Sequence, residues 1–414
     1  MSQQQESSSS DLSHRLEALS MTRNAPTVQR SQNATERDLL PDLSHRLEAD
    51  TMTCNAPTAR RSRSATELDL LPDLLILKQS LNLESIISVA SSFGQLMLTA
   101  HDQPNLQQIN QIGVGLQGAV FEMVGSPSVI KKEKPGNEIL LSNLEHEDKV
   151  HRQVFDAFHR YQPLTKSEVL IPKALSFVRK KEEEDFWKEI LPKLPREYRA
   201  RGDCMILQRI LPLPKSTRRA LINEYCTGDV NEASKLLADP KNKHCLARVY
   251  LGENHGPMNA ESPLRNFPLY LESMRTIGVD TIRLAAALGK AYAILHWGAG
   301  VDGDDIEFVF GTTEETSNTP KEHTPEFQKR AVGLFLLDFG QCDTVDLGQD
   351  CETVYQAFKG AMVTGDNKCF IPRPTQPELF AAFKEAYSEA GNVILVDKRL
   401  DTRFDMKDFM QQYE

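Results

Sequence analysis

The chain has 414 residues, 40% of them hydrophobic, and its formal net charge at pH 7 is -10. A chain of this size buries one large core or two smaller ones. The acidic balance argues against a general nucleic-acid or anionic-membrane surface, which needs clustered Lys and Arg. No apolar run approaches bilayer-spanning length, and the 7 cysteines form no Cys-x-x-Cys pair. We therefore expect no structural zinc, no membrane segment, no nucleic-acid partner, and a cytoplasmic or nuclear location.

The N-terminal part of the chain contains a tandem duplication with an offset of 31 residues, since Asp11–Ala18 recurs as Asp42–Ala49. Each copy ends in Asp-Leu-Leu-Pro-Asp-Leu, at 38–43 and at 69–74. Two polar copies are too few for a self-supporting repeat fold, which predicts a disordered tail over residues 1–75. The repeated motif is either a docking arm for a protein partner or a duplicated tail without a binding role.

Beyond the tail, the pattern predicts an α+β protein with two lobes. Apolar residues at helical spacing from Leu74 to about Ala100 predict an amphipathic helix that opens the folded part. Alternation from Val114 to Val124, followed by a second β-type run, predicts a hairpin. We place a β-rich N-lobe at 76–210 and a mainly helical C-lobe at 211–414.

A glycine motif lies within the predicted hairpin. Gly113, Gly115 and Gly118 fit the Gly-x-Gly-x-x-Gly-x-Val pattern. Strand residues follow these glycines, whereas a dinucleotide-binding loop leads into a helix. This context is typical of the loop that covers nucleotide phosphates in kinases, where glycines let backbone amides approach the phosphate oxygens. The alternative is that the glycines only shape the hairpin.

A lysine and a glutamate extend the comparison with kinases. Lys131 ends a Val-Ile-Lys run that is similar to the kinase element whose ammonium group contacts the phosphates, and Lys132 is the alternative on the opposite face. Helical spacing from Glu138 to Phe158 offers Glu147 as the carboxylate partner of Lys131, with Glu145 as the second choice. Either glutamate also fits an ordinary exposed helix position.

A second set of carboxylates lies in the C-terminal half. The apolar run before Asp338 ends in Asp-Phe-Gly, which predicts a strand that presents a metal-binding carboxylate. Upstream, Asp302 is followed by four residues and then Glu307, so Asp302 is the candidate catalytic base and Glu307 a second metal ligand. Asp304 is the alternative base. We interpret the nearby His296 as a packing residue.

Five segments of the chain resemble a fungal family that shares a domain of unknown function and carries the name "zinc finger protein". The resemblance covers about residues 245–390 strongly and extends more loosely back to about residue 105. It implies little chemistry, because no activity is generally assigned to the family, and this chain lacks zinc-finger spacing. The segments that carry the resemblance are Arg248–Gly252, Leu264–Leu269, Ala293–Trp297, Val301–Val309 and Leu336–Cys342.

These patterns lead to one functional prediction and one alternative. The first is a protein-kinase-like fold that binds ATP and Mg²⁺ and transfers phosphate to a small or atypical acceptor. The alternative is a catalytically silent, pseudokinase-like module that binds another protein, supported by the absence of His-Arg-Asp and Ala-Pro-Glu elements. A transcriptional or chromatin role is disfavoured by the acidity and by the absence of zinc-ligand spacing.

Overall fold

The computed structural model describes residues 62–90, 109–134, 144–252, 264–314 and 327–413. Within them the chain is an α+β protein with two β-sheets and two hydrophobic cores, as the sequence predicts for the fold class. Residues 1–61, which hold the first repeat and most of the second, lie outside the described residues.

Short strands and longer helices alternate along the described part of the chain. The strands are β1 Ser62–Ser64, β2 Ile86–Ala90, β3 Ile109–Val114, β4 Gly118–Met123, β5 Ser128–Glu133, β6 Val169–Leu170, β7 Ala174–Val178, β8 Cys204–Gln208, β9 Ala247–Tyr250, β10 Phe267–Tyr270, β11 Glu307–Glu314 and β12 Phe327–Leu337. The α-helices are α1 Ala65–Asp69, α2 Asp73–Ser80, α3 Leu144–Thr165, α4 Glu184–Lys193, α5 Lys215–Tyr225, α6 Val230–Ala238, α7 Leu271–Ile277, α8 Thr281–Ala293, α9 Cys351–Val363, α10 Asn367–Phe370, α11 Pro377–Lys398 and α12 Met406–Tyr413.

The smaller sheet is antiparallel and has the strand order β3-β4-β5-β8-β7. The turn between β4 and β5 closes at Gly125, whose φ of 80° suits glycine, and the Ser126 N–H donates to the Met123 carbonyl oxygen at 2.9 Å. One face of the sheet packs on α4, where Trp187 is fully buried. The predicted hairpin is present as β4 and β5, but its first strand begins at Gly118 and not at Val114, because the glycine motif forms the turn between β3 and β4.

The larger sheet has 7 strands, in the order β1-β2-β12-β11-β9-β10 with β6 pairing β12. It packs with the helices in the larger core, where the apolar residues of α8 and α11 meet. The β11–β12 hairpin pairs Glu307 with Leu337 and so places Glu307 beside the residue that precedes Asp338.

Helix α3 connects the two sheets. Its buried positions recur every three or four residues and include Glu147, His151, Val154 and Phe158, so one face of the helix is turned inward. Val154 and Phe158 contribute to the larger core, whereas Glu147 lies one turn before His151 on the same inward face. The helix therefore carries a carboxylate into the interior.

The structure corrects two predictions about the start of the folded region. The predicted tail over 1–75 extends too far, because residues from Ser62 onward form β1, α1 and the start of α2. Within the second copy of the repeated motif, Asp69 forms an ion pair with Arg219 at 3.1 Å. The predicted helix from Leu74 to about Ala100 is also wrong, because α2 ends at Ser80 and strand β2 follows. The last part of that segment, 91–100, lies outside the described residues.

Helix α8 is followed directly by a π-helical turn, Ile294–Ala299. There the Tyr387 hydroxyl accepts from Trp297 Nε1 at 2.8 Å and lies 2.8 Å from His296 Nδ1. His296 Nε2 lies 3.1 Å from the Asp302 carbonyl oxygen, which accepts a hydrogen bond from it. Burial lowers the pKa of His296 to about 3. These contacts support its interpretation as a packing residue.

No helix among the described residues is both long enough and apolar enough to cross a membrane.

Candidate functional site

Lys131 lies at the centre of the candidate site. On strand β5, successive side chains point to opposite faces, which separates Lys131 from Lys132. The Lys131 ammonium reaches helix α3, whereas Lys132 Nζ lies 3.4 Å from the Glu133 carbonyl oxygen. Burial lowers the pKa of Lys132. Lys131 is therefore the lysine of the two that meets the predicted carboxylates.

Two carboxylates hold the Lys131 ammonium. Lys131 Nζ lies 2.5 Å from Glu147 Oε1 and 3.0 Å from Asp338 Oδ1. The predicted pairing of Lys131 with Glu147 is thus confirmed. Glu145, the second choice, instead pairs on the surface with Arg179 at 3.0 Å and with Lys149 at 3.3 Å. Three residues that are far apart in the sequence meet at one point.

The two carboxylates of this triad stabilise the charge on Lys131, whereas burial, with Asp338 nearby, outweighs Lys131 and raises the pKa of Glu147. Burial opposes the charge on Lys131, but the carboxylates of Glu147 and Asp338 outweigh it and raise the pKa of the ammonium group. Glu147 Oε2 is buried and has no hydrogen-bond partner among the described residues. Of the three side chains, Asp338 is the most exposed, at 30%. A ligand would therefore approach the triad from the Asp338 side.

The glycine loop lies directly over Asp338. A Cβ atom added at Gly115 would stand 3.8 Å from Asp338 Oδ2. A Cβ at Gly118 would stand 2.5 Å from the Lys132 carbonyl oxygen, so Gly118 is needed for close packing of β4 on β5. A Cβ at Gly113 would only make ordinary contact with Val120. Of the three motif glycines, Gly115 is the one nearest the triad.

The turn that carries Asp338 is fixed from several sides. Asp338 has a φ of 65°, a left-handed conformation that non-glycine residues seldom adopt. The following Phe339 is fully buried and meets the His151 ring of α3 edge-on, with a centroid distance of 5.1 Å. Gln117 of the glycine loop donates its side-chain N–H to the Gly340 carbonyl oxygen at 3.1 Å. The surrounding structure therefore holds the strained backbone of Asp338 in place, and with it the carboxylate.

The two candidate bases differ in their surroundings. Asp302 Oδ1 accepts from the backbone N–H groups of Asp304 at 3.2 Å and Asp343 at 2.9 Å, so this carboxylate braces its own loop. Burial raises the pKa of Asp302 to about 6. Among the described residues, Asp304 Oδ1 accepts a long hydrogen bond from the Thr364 hydroxyl, at 3.4 Å. The geometry thus favours Asp304 over Asp302 as the carboxylate available to an acceptor.

Glu307 lies beside the Asp338 turn, but a cation of the protein already occupies its carboxylate. Arg248 forms a very short ion pair with Glu307, and both side chains are mostly buried. Burial opposes the charge on Arg248, but the Glu307 carboxylate, helped by Tyr250 and Asp338, outweighs it and raises the pKa of the guanidinium. For Glu307 itself, burial outweighs Arg248 and raises the pKa of the carboxyl to about 7, so the pair is identified by its geometry. These contacts therefore do not favour the predicted role of Glu307 as a metal ligand.

A two-carboxylate metal site formed by Asp338 and Glu307 does not fit the residues present. Lys131 binds the first carboxylate and Arg248 binds the second. Within the described ranges, no group of three or more His, Cys, Asp or Glu side chains is arranged to hold a metal ion.

Sequence reasoning missed three residues of the site. Arg248 carries a charge within an otherwise apolar strand, and that pattern is a signal that could have identified it. Gln117 has no such signal, because its contact with Gly340 depends on how the loop folds over. Asp305 follows the candidate base Asp304 in the sequence and has a φ of 54°. Burial, with a smaller contribution from the negative charge of Asp338, raises the pKa of Asp305 to about 6.

No family model matches the sequence, and no curated protein sequence matches it either. The resemblance to the fungal family and the resemblance to kinases therefore both stay predictions.

Proposed function

We propose that this protein binds a nucleoside triphosphate, ATP in the first instance, in a kinase-like cleft and transfers phosphate to a small or atypical acceptor. The observation that carries the proposal is the position of Lys131. Its ammonium joins Glu147 of α3 to Asp338 of the turn after β12, and the Gly115 loop lies above Asp338. A lysine, a helix carboxylate, a turn carboxylate and a glycine loop are the parts that phosphoryl transfer reuses in kinases.

Each residue has a role in this proposal. Lys131, oriented by Glu147, contacts the phosphates, and the backbone amides of the glycine loop approach them from above. Asp304 orients the acceptor hydroxyl, because its carboxylate is less engaged than that of Asp302. Such transfer depends on positioning and charge neutralisation more than on covalent chemistry, so few residues are needed.

The test is binding of ATP to the full chain, measured by calorimetry and by thermal shift, with and without Mg²⁺. We expect saturable binding that Lys131→Met weakens about tenfold or more, because a charge-assisted phosphate contact is lost. Lys149→Met is the matched control, since Lys149 is an exposed lysine on the same helix as Glu147. Absence of binding in both conditions would overturn the proposal.

A second candidate function is a catalytically silent module that binds another protein. Two observations favour it: the Glu307 carboxylate is paired with Arg248, and the Asp302 carboxylate is engaged by backbone N–H groups. Transfer of labelled phosphate from ATP discriminates between the two functions. Turnover that Asp338→Ala abolishes supports the transferase, whereas a co-purifying partner that survives Asp338→Ala, without turnover, supports the silent module.

A further inference from the structure

Arg248 places its positive charge against Glu307, where the predicted metal ion would otherwise be bound. On β11, Glu307 and Val309 point to the same face, and Arg248 of β9 is directly opposite Val309. On the other side of β11, Glu307 is directly opposite Leu337, the residue before Asp338. The strands β12, β11 and β9 are neighbours in the larger sheet, so Asp338, Glu307 and Arg248 lie near the same end of these three strands.

The Arg248 guanidinium is fixed in place but still has donors to offer. One nitrogen, Nη2, bonds to Glu307 Oε1, the Tyr250 side chain makes a further hydrogen bond, and Nε is buried without a hydrogen-bond partner among the described residues. The side chain remains 20% exposed, so part of it is open to solvent. A guanidinium has five N–H donors in a rigid plane that matches phosphate oxygens, so these two partners do not exhaust it.

We propose that Arg248 supplies the second fixed positive charge for the triphosphate, opposite Lys131, so that nucleotide binding does not depend on a divalent cation. This inference rests on the proposed function, because it concerns the same cleft. It follows from the pairing in the sheet and from the occupied Glu307 carboxylate. The guanidinium is held in position before the ligand arrives, which limits the ordering cost of binding.

The experiment measures ATP affinity by calorimetry in Mg²⁺ and in EDTA, using the full chain. For the wild type we expect dissociation constants that agree within about threefold between the two conditions. Arg248→Met should weaken binding in EDTA about tenfold or more, because a charge-assisted phosphate contact is lost. Arg248→Lys should recover only part of the affinity, because an ammonium lacks the planar donor set.

Two further variants keep the result interpretable. Arg248→Met alone leaves a buried Glu307 carboxylate unpaired, so Arg248→Met/Glu307→Met removes both charges together, a change that buried ion pairs often tolerate. Arg275→Met is the matched control, since Arg275 pairs with Glu272 on the exposed face of α7 at 2.9 Å. This control should leave affinity unchanged in both conditions.

The outcomes separate the two proposals. Binding that requires Mg²⁺ in the wild type, or a double variant that binds ATP in EDTA as tightly as the wild type, overturns the role of Arg248 and leaves the nucleotide site standing. Absence of ATP binding in both conditions overturns the nucleotide site and this inference with it.

Discussion

Lys131 remains charged although it is almost completely buried, because the carboxylates of Glu147 and Asp338 both bind its ammonium group. Removing Glu147 leaves Asp338 as the remaining partner, and removing Lys131 leaves a buried glutamate. We expect Lys131→Met to lower the free energy of unfolding by about 2–4 kcal/mol, since it leaves Glu147 buried without its partner, and Glu147→Gln to lower it by less, since Asp338 still pairs with Lys131. The double variant should lose less than the sum, with a coupling of about 1–3 kcal/mol. Urea denaturation of the four proteins measures this cycle.

The control for that cycle is the Glu145 and Lys149 pair on the same helix. Their side chains are 41% and 71% exposed, and their charged atoms lie 3.3 Å apart. Because solvent screens this pair, the same cycle should show no measurable coupling. A coupling of equal size at both pairs would contradict a special role for the Lys131 site.

Asp302 leads to a prediction about pH. Burial raises its pKa in the folded protein to about 6 from an ordinary value of 3.8. The folded state therefore holds this proton more tightly than the unfolded chain does, and stability falls as pH rises from about 4 through about 6. Asp302→Asn keeps an oxygen for the backbone N–H groups of Asp304 and Asp343 but removes the ionisation.

We expect Asp302→Asn to be more stable than the wild type at pH 7 by about 1 kcal/mol, allowing for solvent screening of a partly exposed carboxyl. The difference should vanish near pH 4. Denaturant midpoints across this range measure it, with Asp401→Asn as the matched change at an exposed position. A difference that is constant with pH would mean that Asp302 is not the titrating group.

The glycine loop and the Asp338 turn act as one element because they interlock. A Cβ added at Gly340 would lie 2.5 Å from Gln117 Cγ and 3.3 Å from Glu147 Oε2. We expect Gly340→Ala to lower the free energy of unfolding by about 1–3 kcal/mol, as overpacking does. In a Gln117→Ala background the same change should cost much less, because the clashing side chain is gone. Chemical denaturation of the four proteins tests this rescue.

The control for this element is Gly360→Ala on helix α9. An added Cβ there meets nothing within 4 Å, so the change should be neutral or stabilise the protein by up to about 1 kcal/mol. If Gly340→Ala lowers the free energy of unfolding by the same amount with and without the Gln117 side chain, the glycine loop and the Asp338 turn do not interlock as described.

Local signals in the sequence explain why part of the site could be predicted. The glycine motif, Lys131 and Glu147 each lie in a short segment whose pattern defines its own strand, loop or helix. The pairing of Arg248 with Glu307 could not be predicted in this way, because it depends on which strands are neighbours in the larger sheet. The helix predicted over β2 fails for the same reason, since pairing with β12 overrides the apolar spacing.

At the scale of the whole molecule, two hydrophobic cores of unequal size make up the protein, and helix α3 contributes Val150 and Val154 to the larger one. Glu122 of the smaller sheet pairs at 2.5 Å with Arg209, the residue that follows β8. The class of fold could be predicted from composition and alternation, but the division of the chain between the cores could not. Helix α2, for example, packs its Ile76 and Leu77 into the larger core, although the sequence suggested the N-lobe.

The two tryptophans report on the two cores separately, because Trp187 is buried in the smaller core and Trp297 in the larger. The smaller core buries less apolar surface, so it gains less hydrophobic stabilisation and should open first. In urea we expect the fluorescence of Trp187 to change at a lower concentration than that of Trp297. The variant Trp187→Phe isolates the signal of Trp297, and its difference from the wild type gives that of Trp187. Superimposable transitions would instead mean that the two cores unfold as one unit.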